Sequence, residues 1–245
     1  MTADTPTILA TSGGLFPAQR NPFVFGPLLH YAMDLAGVAG RAPRVCLVNT
    51  AGGDQAAFSA YFHEAGRMAG AAVSDLRLFT MPNVGDMKAF VLDQDVIWVG
   101  GGSVANLLAL WRLHGLDEIF RQAWQAGVVL AGVSAGSICW HVGGTTDSFG
   151  PDLRPVTNGL GLLPCANGVH YDGEAQRRPK FHQFIADGTL PGGYATEDGT
   201  GLLYRGTELA EAVAEVPGKS AYRVTLDGGE IREEPLETRL LPGSL

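Results

Sequence analysis

The chain is sparing with cysteine, with charge and with long apolar runs, and each scarcity excludes something. Its three cysteines, Cys46, Cys139 and Cys165, have no metal-binding spacing. An odd, sparse set argues for a reducing cytoplasm and against a disulfide framework. No stretch reaches the roughly 18 consecutive apolar residues of a membrane-spanning helix, so no membrane partner is expected. Met1 to Pro6 lacks a basic n-region and an apolar h-region, which is not how a signal peptide begins. The expected location is therefore the cytoplasm. Charged residues make up 17% of the chain, and 17 Lys and Arg face 25 Asp and Glu for a net charge of −8. With no basic run, nucleic acid is a poor partner.

What is present is an apolar fraction of 46% over 245 residues, enough for a substantial core in a domain spanning 1–245. Short β-branched runs alternate with helical patterns. Thr7–Ala10, Arg44–Asn49, Val73–Phe79, Asp95–Val99 and Val128–Gly132 read as strands. Phe25–Gly37, Gln55–Ala69 and a segment from about Ala105 read as helices. That alternation predicts an α/β fold, a mostly parallel central sheet covered by helices on both faces. The last third predicts strands near Gly168–His170 and Gly201–Tyr204 and a helix over Pro179–Ala186. Asp227-Gly228-Gly229 joins Ala221–Leu226 to Glu230–Glu234 as a small C-terminal β-hairpin. This part reads as the far edge of the same domain.

Two glycine-rich turns end strands and open helices. Gly132-Val133-Ser134-Ala135-Gly136 fits G-x-S-x-G. A serine on such a turn is held in a strained conformation, needs small neighbours, and stands above the carboxyl end of the sheet. The helix start behind it supplies free N–H groups and a positive dipole end, with Ala135 N–H as one donor to an oxyanion. A plain tight βα turn is the competing reading. Gly100-Gly101-Gly102 is the second turn. It fails the dinucleotide pattern, because Ala105 stands at the third glycine position, and no Gly-Lys-Ser/Thr follows. It offers either a second oxyanion donor, Gly102 N–H, or a loop that needs positive φ.

A serine nucleophile needs a base, most often histidine. His30, His63, His114 and His182 fall in predicted helices or at their ends, where solvated surface is the default. His141 is expected two helical turns past Ser134 and pointing away from it. His170 ends a strand-like run, as Ser134 does, and is the preferred base. Glu197 and Asp198 follow Gly193–Thr196, and in extended chain only one of the two can face the site.

Four stretches in this order carry a family resemblance: V-G-G-G-S-V-A-N-L-L (99–108), G-V-S-A-G-S (132–137), G-V-H-Y (168–171) and E-D-G-T-G-L-L (197–203). Together they resemble the peptidase E family of serine peptidases, which includes cyanophycinases. The resemblance implies a class I glutamine amidotransferase-like three-layer α/β/α sandwich with serine in place of cysteine. It also implies a triad in the order Ser, His, acid. By motif, Ser134 is the nucleophile, His170 the base, and Gly102 and Ala135 the oxyanion donors. Asp198 holds the family acid's offset to Leu202 and is favoured over Glu197. Gly101, Ser103, Arg177 and Arg178 are the substrate-binding candidates. Two departures stand out: Ser103 replaces the family's asparagine, and Arg177 and Arg178 fall one and two residues beyond the G-E-x-R position.

The expectation is a serine exopeptidase, of dipeptidase or aminopeptidase type, acting on small peptides without metal or cofactor. The alternatives are cyanophycinase-like hydrolysis of a β-Asp-Arg polymer and a non-catalytic member of the fold. Exposed sheet edges and the terminal hairpin leave room for a homodimer.

Overall fold

The computed structural model describes residue 3 and residues 5–243. The chain runs through β1 (Thr7–Thr11), a hairpin of β2 (Leu15–Pro17) and β3 (Phe23–Phe25), α1 (Pro27–Leu35) and β4 (Arg44–Val48). Next come α2 (Ala56–Met68), β5 (Ala72–Asp75), α3 (Met87–Leu92), β6 (Val96–Val99), α4 (Val104–Leu113) and α5 (Leu116–Gln125). β7 (Val129–Val133) and α6 (Ala135–Ile138) follow, then β8 (His141–Thr146), β9 (Arg154–Val156), β10 (Leu163–Gly168) and α7 (Arg177–Ala186). The chain ends with β11 (Gly193–Thr196), β12 (Thr200–Arg205), β13 (Glu208–Ala214), β14 (Ala221–Asp227), β15 (Glu230–Pro235) and β16 (Thr238–Leu240).

The central sheet has eight strands in the order β16-β13-β12-β1-β7-β6-β4-β5. β1, β7, β6, β4 and β5 are mutually parallel, and β12 returns antiparallel beside β1. Its strands are apolar on both faces because both faces are covered. Leu9, Val45, Leu47, Val96 and Trp98 pack against α1 and α2 through Leu28, Leu29 and Phe62. Ile8, Cys46, Ile97, Val99 and Leu130 pack on the other face against Leu107, Trp111 and Phe120 of α4 and α5. This is a three-layer α/β/α sandwich.

The C-terminal hairpin is present as β14 and β15. It forms the edge of a second, six-stranded sheet, β15-β14-β11-β10-β8-β9, whose Val156, Leu163 and Ala221 share a core with the first. Helix α7 covers one side of that sheet through Phe181, Phe184 and Ile185. Three local expectations need correction. The strand from Val73 stops at Asp75, because the Asp54 carboxylate takes the N–H groups of Leu78 and Phe79 and draws that segment off the sheet. Phe25 pairs with Leu15 in the β2–β3 hairpin, so the helix begins only at Pro27, a residue suited to a helix start. The helix after Ser134 is a single turn, too short for a sizeable macrodipole.

His141 therefore lies on β8, fully buried. Its Nδ1 is 2.9 Å from Ser137 O and its Nε2 is 3.3 Å from Tyr204 Oη. Burial outweighs the bond to Ser137 and lowers its pKa from 6.5 to about 4. The unfolded chain therefore takes up a proton below about pH 6.5 that the folded chain refuses until about pH 4. Stability is fully present above that window and falls as pH drops through it. The loss between about pH 7 and about pH 4.5 should be about 2–3 kcal/mol greater in wild type than in His141→Gln. Urea unfolding of both proteins at the two pH values measures this.

Candidate active site

Ser134 sits between β7 and α6 with φ 59 and ψ −113, a region that non-glycine residues rarely occupy. The backbone around it explains why. A Cβ on Gly132 would come within 2.6 Å of both Val99 O and Gly136 O, and a Cβ on Gly136 would collide with Val99 O. Only hydrogen at these two positions lets α6 settle onto the end of β6. Val133 then has to turn sharply into Ala135, and Ser134 takes the strain. Ser134 N–H is fixed by Thr11 O at 3.0 Å.

The second glycine turn lies directly alongside. A Cβ on Gly101 would be 3.4 Å from Ser134 Cβ. Gly102 has φ 131 and presses against Ala51 O, where a side chain would not fit. Ser103 caps α4, its Oγ accepting Asn106 N–H at 3.2 Å, which is a role asparagine also fills. Gly102 N–H and Ala135 N–H make no hydrogen bond among the described residues. A cleft of about 280 Å³ opens here, lined by Gly102, Ser103, Ser134, Asp147 and Ser148.

His170 is a second non-glycine residue at positive φ, 52. Its Nδ1 is 2.5 Å from Asp198 Oδ1. The acid is held in turn: Asp172 Oδ1 accepts Asp198 N–H at 2.8 Å, and Lys219 pairs with the other Asp172 oxygen. Burial opposes ionisation of Asp172, but Lys219 and the Asp198 N–H outweigh it and keep its carboxyl below the usual range. A Cβ on Gly173 would stand 2.9 Å from Asp198 Oδ2, so this glycine leaves room for the acid.

Glu197 faces elsewhere. It accepts Ser220 N–H at 2.9 Å and the Tyr222 hydroxyl at 3.0 Å. Arg178 lies between the Tyr171 and Tyr222 rings, 4.6 and 4.7 Å from their centroids, and donates to Glu233 at 2.8 Å. Arg177 is buried, with Nη2 at 2.9 Å from Glu174 and 3.7 Å from Asp147 of the cleft wall. His182 also departs from the surface role expected of it. Its Nε2 is 2.8 Å from Glu233 and 2.9 Å from the Tyr171 hydroxyl. His63 pairs with Asp75 at 2.8 Å.

Asp147 and Ser148 line the cleft and Asp172 holds Asp198, and motif spacing singles out none of the three. The acidic pair Asp172 and Asp198 is visible in sequence only as two separate carboxylates. The cysteines are poor nucleophiles here. Burial pushes the Cys165 thiol up to about 11, Cys46 up to about 12 and Cys139 well above its ordinary value. Among the described residues no group of three or more His, Cys, Asp or Glu is placed to hold a metal ion.

Residues 8–212 match the family described as peptidase family S51. The chain belongs to this family. The uncharacterized peptidase YgaJ of Bacillus subtilis is 44% identical over 199 residues, 81% of this chain and 85% of that protein. Peptidase E of Shewanella denitrificans is 30% identical over 149 residues, 57% of this chain and 63% of its own length. A crystal structure of a peptidase from an acI-B1 Actinobacterium shares the fold. It has a TM-score of 0.66 at 16% identity and covers 96% of this chain and 95% of its own. Membership in family S51 makes the protein a serine-type peptidase. No helix among the described residues is long and apolar enough to cross a membrane.

The Gly136 contact with Val99 O is testable by stability alone. Gly136→Ala should cost about 1–3 kcal/mol, the range for forced overpacking. Gly85→Ala, at an exposed bend with open space around it, should change stability by less than about 0.5 kcal/mol. Thermal or urea unfolding of the two variants gives the comparison.

Proposed function

We propose that this peptidase is a serine exopeptidase that removes residues from short peptides bearing a free amino terminus. The observation that carries the reading is Ser134, strained at φ 59 on the wall of an open cleft, beside two N–H groups that have no partner among the described residues. Strain of this kind persists only where surrounding structure enforces it, and it concentrates at reactive residues. With Nδ1–H directed at Asp198, His170 Nε2 is left free to accept a proton. No hydrogen bond joins Ser134 Oγ to His170 among the described residues. Such bonds often close only with substrate in place.

In the reaction, Ser134 Oγ bonds to the scissile carbonyl carbon as His170 Nε2 takes its proton. Gly102 and Ala135 N–H receive the oxyanion. The C–N bond then breaks, and His170 returns the proton to the leaving amine. Water attacks the acyl ester, giving its proton to His170. Collapse releases the carboxylate product and restores the Ser134 hydroxyl. Asp198 holds the imidazole in the required tautomer and orientation.

Asp147 supports the exopeptidase assignment. Its carboxylate is 57% exposed on the cleft wall shared with Ser134, where it suits the ammonium of a free amino terminus. The two arginines do not favour strict selection of an acidic first residue. Arg177 is paired with Glu174 and Asp147, and Arg178 is enclosed by tyrosines. A broad dipeptidase or aminopeptidase fits better than an aspartyl-specific one. The same Asp147 carboxylate would also suit the guanidinium groups of a β-Asp-Arg polymer. Arginine release from cyanophycin with no cleavage of ordinary dipeptides would establish that second reading.

A dipeptide panel with varied first residue, Asp-X included, tests the proposal. Ser134→Ala should lose at least about a thousandfold in turnover with unchanged melting temperature, and a fluorophosphonate should label wild type at Ser134 only. Retained hydrolysis in that variant refutes the mechanism. Asp198→Asn should behave similarly, whereas Glu197→Gln should keep turnover and lose stability. Asp147→Asn should raise KM for free-amine dipeptides about tenfold and leave N-acetylated substrates unaffected.

A further inference from the structure

We propose that Ser12 is a positioning residue that sets the backbone of His170 through its side-chain hydroxyl. The inference rests on the Ser134, His170 and Asp198 reading above. Ser12 directly follows β1 and is 3% exposed. Its Oγ accepts His170 N–H at 3.1 Å and lies 2.7 Å from Thr196 Oγ1. Thr196 Oγ1 in turn donates to Gly168 O at 3.5 Å. Only one direction of hydrogens satisfies this chain. His170 N–H donates to Ser12, Ser12 O–H donates to Thr196, and Thr196 O–H donates to Gly168 O. The chain closes on β10, two residues before the histidine it began from.

The main chain of the same residue reaches the acid. Ser12 O accepts Gly199 N–H at 2.9 Å, one residue past Asp198, and Ser12 N–H donates to Thr200 O at 2.8 Å. Its neighbour Thr11 holds Ser134 N–H through its carbonyl. Two consecutive residues at the tip of β1 therefore hold the backbones of the candidate nucleophile and base, and fasten the chain beside the acid. Among the contacts that Thr11 and Ser12 make to the backbones of Ser134, His170 and Gly199, only the one to His170 depends on a side chain. His170 needs it most, since φ 52 is costly for a β-substituted residue and its N–H has no other partner among the described residues. Ångström-scale displacement of a catalytic base is costly to the chemical step and leaves ground-state binding largely intact.

Ser12→Ala removes the hydroxyl and keeps both main-chain bonds, so a folded variant is expected. Ser12→Thr restores the hydroxyl. Three readouts are compared in wild type and both variants: kcat and KM on the fastest dipeptide of the panel, amide hydrogen exchange of His170, and the low-field proton resonance of His170 Nδ1–H. Ser12→Ala should lower kcat about tenfold to a hundredfold with KM within about twofold. It should also speed His170 amide exchange and shift or broaden the Nδ1–H signal. Ser12→Thr should recover both signals. Wild-type kcat together with an unchanged Nδ1–H resonance in Ser12→Ala overturns the proposal. A fall in melting temperature with kcat unaffected at a permissive temperature overturns it too, marking Ser12 as structural. The two magnetic-resonance readouts do not depend on the reaction. If Ser134→Ala still hydrolyses peptides while Ser12→Ala perturbs His170, the positioning stands and the catalytic assignment fails.

Discussion

The backbone contact between the end of β6 and the one-turn helix α6 governs the rest of the site. Val99 O occupies the space where side chains on Gly132 and Gly136 would otherwise be. Because the helix sits against that carbonyl, the link from β7 cannot relax, and Ser134 is left at a φ that costs energy. The same closeness sets Gly101 against Ser134 and leaves Ala135 N–H and Gly102 N–H without partners among the described residues. Strain, exposure and donor availability are thus one geometric fact. With only four residues in α6, assistance to an oxyanion would come from two specific N–H groups and hardly at all from an aligned helix dipole.

The tip of β1 links two sheets whose inner residues already share a core, Ile8 and Leu130 of one packing in the same cluster as Leu163 and Ala221 of the other. Thr11 belongs to the eight-stranded sheet and grips β7, while Ser12 contacts Thr196 at the end of β11, His170 after β10, and Gly199 and Thr200 where β12 begins. Behind them Glu215 is almost fully buried and accepts Gly14 N–H at 2.6 Å and Leu28 N–H at 3.0 Å. Burial raises its pKa, and those two bonds offset this only in part. It is also why Gly13 and Gly26 carry no side chain, since a Cβ at either would run into that carboxylate. Glu215 thereby fixes the turn after β1 against the start of α1, while Ser12 reaches His170 and Thr196 at the ends of β10 and β11.

Much of this architecture was legible in the residues. The buried strands of the central sheet announced themselves as β-branched runs ending in glycine, and the Ser134 turn by small residues between a strand and a helix. Position after strands brought forward His170 and left Glu197 and Asp198 as alternatives; only the family resemblance favoured Asp198, and it is Asp198 that lies against His170. What stayed hidden depends on contacts between distant segments. Nothing near Asp54 indicates that its carboxylate will pull residues 78 and 79 off the sheet. Nothing near His182 indicates that Glu233, 51 residues on, will hold it. Asp147 looks like any loop carboxylate until the fold sets it on the same cleft wall as Ser134. Periodicity reports which face is apolar, and it is silent on which polar side chains meet across the chain.

His170-Tyr171 and Glu197-Asp198 share a property that pairwise contacts do not express. In each dipeptide one member turns to the candidate triad and its neighbour to the Arg178 cluster. A shift of one residue in either segment would exchange the two partners, placing Tyr171 where the base stands or Glu197 where the acid stands. Chain length is therefore fixed on both sides of these dipeptides, from Gly168 to Gly173 and from Ala195 to Gly199. Insertions and deletions in relatives should collect in the exposed turns at 149–152 and 227–229 and spare these two short segments.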